Sequence, residues 1–380
     1  MKKALTALIL FLVISALTVN SSFNTLGRVE EPRIKPALRY YMCYRAPEPL
    51  TIDGKLEEPA WKKVYWSEDF VDIEGKSRPK PRFKTRVKML WDDNYFYIGA
   101  ELEEPHVWAT LTERDSIIYQ DNDFEVFIDP DGDTHNYYEL EINALNTVWD
   151  LFLVKPYRDG GPAIHSWDIQ GLKTAVDIGG TLNNPADRDR GWTVEIAIPW
   201  EVLKEAAPFK KRPEPGDLWR VNFSRVEYRT VVEGGKYAKM KDKNTGRPLP
   251  EDNWVWAPQG VINIHYPEMW GYVQFTATEA GRAAEYCDED PEADVKWALR
   301  LIYYRQRNFH ARNGRFALNL DQLDLGQERA IRVKGWNFPP QIEATESLFE
   351  AYYTNKNGEK IRIRQDGLVW KTPPSQGGNI

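Results

Sequence analysis

The sequence predicts a mainly β chain, an antiparallel β-sandwich followed by a small α+β C-terminal domain. Three observations carry this. Between residues 40 and 278 short runs rich in β-branched and aromatic residues recur, most of them alternating with period two. Clusters of Asp, Asn and Gly separate them, and after about Gly281 the pattern changes to helical spacing.

The elements follow in order. Lys2 and Lys3 precede an uncharged apolar run from Ala4 to Val19, so residues 1–22 read as a secretory signal, or as an uncleaved N-terminal anchor. Either reading puts the protein outside the cytoplasm, secreted, periplasmic or at the cell surface. Residues 23–39, with Pro32 and Pro36 among charges, read as a linker. The sandwich is expected over 40–279, with strands at 83–91, 95–102, 123–129, 137–143, 148–154, 192–199, 219–228 and 270–275. Asp92-Asp93-Asn94 and Asp131-Gly132-Asp133 supply turn chemistry between neighbouring pairs, which favours antiparallel pairing. Eight or more such strands without long helices between them indicate one sheet packed on another.

The C-terminal domain is expected over 280–380. Asp290 reads as an N-cap with Pro291 at the first helical position, and Asn313-Gly314 closes the helix. Val295, Leu299, Ile302, Gln306 and Phe309 then share a face. Asn357-Gly358 between two strand-like runs is a hairpin signal. A helix laid on a small antiparallel sheet follows, an arrangement that resembles the soluble part of type IV pilin-like proteins.

Composition narrows the function. The net charge of −7 and the lack of any Lys/Arg-rich block argue against nucleic acid as a partner, since backbone binding needs clustered cations. A membrane is expected as a partner only through the N-terminal segment. Aromatic residues, 15 Trp, 19 Tyr and 15 Phe, make up 13% of the chain while the mean hydropathy is −0.59, so flat apolar surface is plentiful. Cys43 and Cys287 permit one bridge in an oxidising compartment, or stand as two separate thiols.

Chemistry is sparse. The five histidines lack zinc-ligand spacing, and no nucleophile elbow, phosphate-cradling loop or Rossmann fingerprint occurs. Two strands place polar groups opposite their apolar face: Glu125 and Phe127 in 123–129, and Glu139, Glu141 and Asn143 in 137–143. In 95–102, Tyr95, Tyr97 and Glu101 do the same. If these strands are neighbours, one sheet presents carboxylates and amides beside aromatic rings. Such a surface suits sugars, whose C–H faces stack on rings while their hydroxyls need fixed donors and acceptors. An ordinary solvated sheet face gives the same alternation. Trp254 and Trp256, one residue apart in a loop-like stretch, are candidates for stacking a ligand. Asp129, Asp131 and Asp133 alternate around Gly132 like the start of a calcium loop, so calcium is a candidate structural ion, with a plain hairpin turn as the alternative. Glu125 and Glu141 also form the one pair to nominate for glycoside hydrolysis.

Six ordered segments, 50–63, 87–105, 121–150, 191–200, 216–227 and 265–275, resemble carbohydrate-binding module family 9. The resemblance implies a β-sandwich that binds the ends of poly- or oligosaccharide chains without catalysis, is attached to secreted polysaccharide-degrading enzymes and carries structural calcium. It implies that Glu125 and Asn143 contact the sugar. Glu141 stands where those modules carry an Arg, and Tyr119 stands where one clamp Trp would be. Trp254, Trp256 or His265 would replace the other clamp Trp, and Arg225 completes the expected set. Two further expectations stand beside it: a glycoside hydrolase using the paired Glu, and a haem-binding electron-transfer sandwich, which needs Met and His axial ligands, with Met89, Met240 and Met269 available.

Overall fold

The computed structural model describes residues 27–37 and 39–374. The expected signal or anchor at 1–22 therefore lies outside the described residues, and among those that are described no helix is long and apolar enough to cross a membrane.

Strands β1 (Tyr40–Arg45), β2 (Val71–Asp72), β3 (Thr85–Trp91), β4 (Tyr95–Glu103), β5 (Asp123–Asp129), β6 (Tyr137–Asn143), β7 (Val148–Leu153), β8 (Ala163–Ile164), β9 (Lys173–Ile178), β10 (Gly191–Pro199), β11 (Leu218–Glu227), β14 (Asp252–Val255) and β15 (Gly271–Glu279) form one continuous hydrogen-bonded sheet. Its order is β8-β7-β6-β5-β11-β15-β1-β3-β4-β10-β9, with β14 on β11 and β2 on β14. The sheet folds back on itself at β11. One edge of that strand is divided: Leu218 to Val221 pair with β15, and Ser224 to Glu227 pair with β14. Pairing is antiparallel except at β1, which runs parallel to both β15 and β3. A separate ribbon joins β12 (Thr230–Glu233) to β13 (Lys236–Lys239).

Alternation explains the core. Phe124, Val126 and Ile128 of β5, Tyr138, Leu140 and Ile142 of β6, and Phe96, Ile98 and Ala100 of β4 all face inward. They meet Trp91, Trp200, Trp219 and Phe275, whose rings contact one another edge-on at centroid distances of 5.4 to 6.2 Å. Much of the aromatic content is thus consumed between the two halves of the sheet. Of two short helices, α1 (Pro59–Lys63) packs Trp61 on the outward side of β4 and β10 beside Tyr97 and Ala197, and α2 (Trp200–Leu203) sends Trp200 into the core. α1 is tied down by Glu195 on β10, which accepts from Trp61 Nε1 at 2.9 Å and from the backbone N–H of Asp53 and Gly54. Gly54, at φ +85°, lies so close to β9 that a Cβ would come within 2.7 Å of the Val176 and Asp177 backbone.

The expected long helix is α3 (Ala293–Asn313), closed by Gly314 in the left-handed conformation. Its start differs from expectation. Glu292 is the N-cap, while Asp290 turns back one step earlier, accepting from Glu292 N and from Lys296 Nζ. β16 (Gln341–Ala344), β17 (Phe349–Thr354), β18 (Lys360–Arg364) and β19 (Val369–Thr372) form an antiparallel meander under it, with Asn357-Gly358 in the turn between β17 and β18. Leu299, Ile302, Tyr303 and Phe316 pack on Ala351, Tyr353, Ile361 and Ile363 in a second core.

Helix and sandwich are joined through buried charge. Arg158 grips both carboxylate oxygens of Glu268 at 2.9 Å, while Asp159 is engaged by Arg158, Arg307 and the Tyr303 hydroxyl. Ions withdrawn from water this way are tolerated only because each has opposite partners, so removing one costs about 3–5 kcal/mol. The segment read as a linker is packed as well. Val29 is buried and exchanges two hydrogen bonds with the Asn308 side chain on α3, and Arg33 N donates to Gly260 O. The two cysteines are free thiols: Cys43 is buried in the sandwich core, and Cys287, half-buried, packs against the outer cluster that includes Met42 and Tyr44.

Candidate functional site

On β5 and β6 the residues between the core positions point away from the core. The register sets Glu125 directly opposite Glu141 and Phe127 opposite Glu139, while Glu141 faces Trp149 on β7. Residues so paired have Cβ atoms roughly 4.5–5.5 Å apart, so this face is a compact floor of carboxylates and rings. It is not a solvated face. Phe127, Tyr137, Trp149, Leu151 and Trp270 form a buried outer cluster, and loops close over it.

What remains between floor and loops is a cavity of about 580 Å³. Glu125, Glu139, Glu141 and Trp149 make the floor, and Tyr119, Tyr157, His165, Glu251, Asn253 and 262–265 surround it, the Tyr157 ring edge-on to that of His265 at 4.7 Å. Tyr119 is exposed at the mouth, its ring tilted 36° to that of Trp149 at 6.4 Å. Trp149 stacks on His165 at 5.6 Å. The Tyr119 loop is anchored from below, since Tyr119 N donates to Glu141 Oε2 at 2.9 Å and Tyr119 O accepts from the Tyr228 hydroxyl.

Burial dominates the electrostatics. It pushes the Glu125 carboxyl up to about 7. Glu139 and Glu141 rise well above the carboxylate range, first from burial and then from facing Glu125. Asp123, beneath them, is raised by burial and by Glu125. His265 is pushed down to about 3 by burial and by nearby Arg158, and shares a hydrogen bond with the Tyr137 hydroxyl.

Of the residues predicted from sequence, the structure brings Tyr119, Glu125, Glu139, Glu141 and His265 to the cavity. Asn143 lies under it. Its Nδ2 donates to Leu111 O and Asp121 Oδ2, and its Oδ1 accepts from Leu145 N and Thr147 N, so the side chain is consumed in fixing a turn and a loop. Arg225 points to the other face. With Val221 and Phe223 it shares the inward side of β11, where it pairs with Glu104 and Glu227.

Trp254 and Trp256 are not an exposed loop pair. Residues 252–255 form β14, whose register sets Trp254 opposite Arg225, so Trp254 faces inward, and both indoles lie in the sandwich core. The alternate residues Glu251 and Asn253 line the cavity instead. Tyr95, Tyr97 and Glu101 belong to β4, in the other half of the sheet, and contribute nothing to this face. Of the methionines named for haem, Met89 is in the sandwich core, Met269 in the second core, and Met240 near the ribbon.

Asp129, Asp131 and Asp133 do converge, with one oxygen of each within 4.8 Å of the others. All three accept hydrogen bonds from their own turn: Gly132 N and Thr134 N donate to Asp129, Asp133 N to Asp131, and His135 N to Asp133. Turn formation accounts for them. Sequence reasoning placed Glu139 on this polar face but missed Trp149, Glu251 and Asn253. For Trp149 the signal was present, because continuing the parity of Glu141 across the β6–β7 hairpin leads to it.

Residues 52–214 match the family model described as "Carbohydrate family 9 binding domain-like". That span contains β5 to β7 and Tyr119; the wall from 251 to 265 lies beyond it. Among curated proteins, the chain is 27% identical over 169 residues to "Exoglucanase XynX" of Acetivibrio thermocellus, covering 44% of this chain and 13% of that protein. It is 33% identical over 89 residues to "Endo-1,4-beta-xylanase C" of Paenibacillus barcinonensis, covering 23% and 7%. The chain therefore spans only a small part of these relatives' length. Among solved structures, a carbohydrate binding module family 9 from Caldicellulosiruptor kristjanssonii in complex with cellotriose aligns over 65% of this chain and 100% of that one, at 17% identity and a TM-score of 0.40.

Proposed function

We propose, from the match of residues 52–214 to the carbohydrate-binding family 9 model, that the chain is an exported, non-catalytic protein that binds poly- or oligosaccharide in support of carbohydrate breakdown. The observation that carries this is the cavity on the outward face of β5 to β7, where rings and hydrogen-bonding carboxylates share one floor. A sugar needs both. Tyr119 at the mouth and Trp149 on the floor offer stacking surfaces, while Glu125, Glu139, Glu141 and Asn253 receive or supply hydrogen bonds. Relatives that match over this span are an exoglucanase and a xylanase by name, which supports a plant-type glucan or xylan among the ligands.

Non-catalytic action is supported by placement. Glu125 and Glu141 rise side by side from adjacent strands of one sheet face. In the binding reading a sugar rests across this pair, whereas hydrolysis would need the two carboxyls to flank the scissile bond. Export is supported by the Lys pair and apolar run at the N-terminus. Isothermal titration against cello- and xylo-oligosaccharides tests the reading. Saturable heat without release of reducing sugar is expected; a folded protein that gives no heat with any oligosaccharide sinks it, and turnover lost in Glu141→Gln would replace it with a hydrolase.

A further inference from the structure

Four glutamates, Glu125, Glu139, Glu141 and Glu251, line the cavity, and among the described residues no Lys or Arg does. Asp123, Glu125 and Glu141 bring an oxygen each within 4.8 Å of one another, all buried. Two carboxylate oxygens here have no hydrogen-bond partner among the described residues: Oε2 of Glu139, on the cavity floor, and Oδ2 of Asp123, beneath it. Both residues are at least nine-tenths buried. A buried, unpartnered carboxylate oxygen is costly, and several together are costlier unless a positive group joins them.

The nearby cations are engaged elsewhere. Arg158 is held by Glu268 and Asp159, and Lys239 Nζ lies over the Tyr228 ring at 3.4 Å. The walls decide what kind of positive group fits. Tyr119, Trp149 and Tyr157 offer π faces, which attract an organic ammonium but supply no ligand to a bare metal ion. The volume, about 580 Å³, accommodates a sugar ring and more.

We propose that the sugar taken by this cavity carries a protonated amine, an amino sugar whose ammonium sits among Glu125, Glu139 and Glu141 while its ring stacks toward Trp149 and Tyr119. This rests on the carbohydrate-binding reading and narrows it to a substrate class. The Glu139 oxygen that lacks a partner accepts one ammonium hydrogen, and Glu125 and Glu141 accept the others. An acetylated amine carries no charge, so it forgoes the attraction of the carboxylate cluster.

The test is calorimetric titration of the full chain, in EDTA-treated buffer near neutral pH, with glucosamine oligomers, their fully N-acetylated counterparts and neutral cello-oligosaccharides. Glucosamine oligomers are expected to bind at least about tenfold more tightly than the acetylated ones, equivalent to roughly 1.4 kcal/mol, and to weaken with added salt. In Glu141→Gln the preference should fall to within about threefold, and Glu251→Gln, at the rim, provides a second reading if the first variant melts early. Equal affinity for all three series overturns the proposal and leaves sugar binding intact. No binding of any series removes the carbohydrate reading itself. Heat from calcium chloride alone that disappears in Glu141→Gln, with sugar binding dependent on it, assigns the cluster to a metal ion and also overturns the proposal.

Discussion

At the scale of single residues, two aromatic side chains have opposite fates. Tyr119 is 41% exposed at the cavity mouth, and Trp254 is 3% exposed in the core. Tyr119→Ala therefore removes a stacking surface and little packing. Affinity for sugar is expected to fall about fivefold to tenfold, the worth of roughly 1–1.4 kcal/mol of ring contact, with the melting temperature nearly unchanged. Trp254→Ala should do the reverse, costing about 3–5 kcal/mol in urea denaturation because a large cavity opens beside Phe83 and Arg225. Retained stability with lost binding in that variant would contradict its placement. Residue type alone could not separate the two. Both are aromatic and both stand two residues from an aspartate, Asp121 and Asp252; only the pairing partner of 252–255 tells which face Trp254 takes.

Elements were the most legible level. The strands at 123–129 and 137–143 have the limits read from sequence, because strict alternation over a buried face leaves little freedom in register. β2, β8 and β14 were not legible: they are two to four residues long, and their pairing is dictated by longer neighbours rather than by their own pattern. The β6–β7 hairpin and the loop bearing Tyr119 act as one element through Asn143, which bonds to both. Asn143→Ala leaves Leu145 N and Thr147 N without their acceptor. A loss of about 2–3 kcal/mol in chemical denaturation is expected, with weaker sugar binding as the Tyr119 loop loosens. Full affinity in a measurably destabilised Asn143→Ala would show that the loop is held by other means.

For the whole molecule, the number of buried carboxyls sets the response to pH. Glu125, Asp133 and Glu195 are each pushed up to about 7, in every case chiefly by burial. Between their unfolded values near 4 and about 7, the folded chain holds protons that the unfolded chain has released, so stability falls as pH rises through that window. His265, pushed down to about 3, acts oppositely: below 6.5 the unfolded chain gains a proton that the folded one refuses. Three groups outweigh one, and above 6.5 the three act unopposed. The melting temperature is expected to be several degrees higher near about pH 5.5 than near about pH 8 in metal-free buffer. A flat or rising profile over that range would mean that the carboxyls are already ionised and balanced by a bound cation.

The short loop between β14 and β15 has two working sides. Ile262 to His265 border the cavity, while three residues further on Glu268 is held by Arg158 and by the Tyr304 hydroxyl on α3, and the Tyr266 ring lies against that of Tyr304. The residues that border the cavity and those that hold α3 thus belong to one strap of backbone. By reciprocity, anything that changes the free energy of that strap when sugar enters changes by the same amount the grip of the strap on α3. A C-terminal helix with no residue in the cavity becomes a place from which sugar affinity can be tuned, and from which occupancy can be felt.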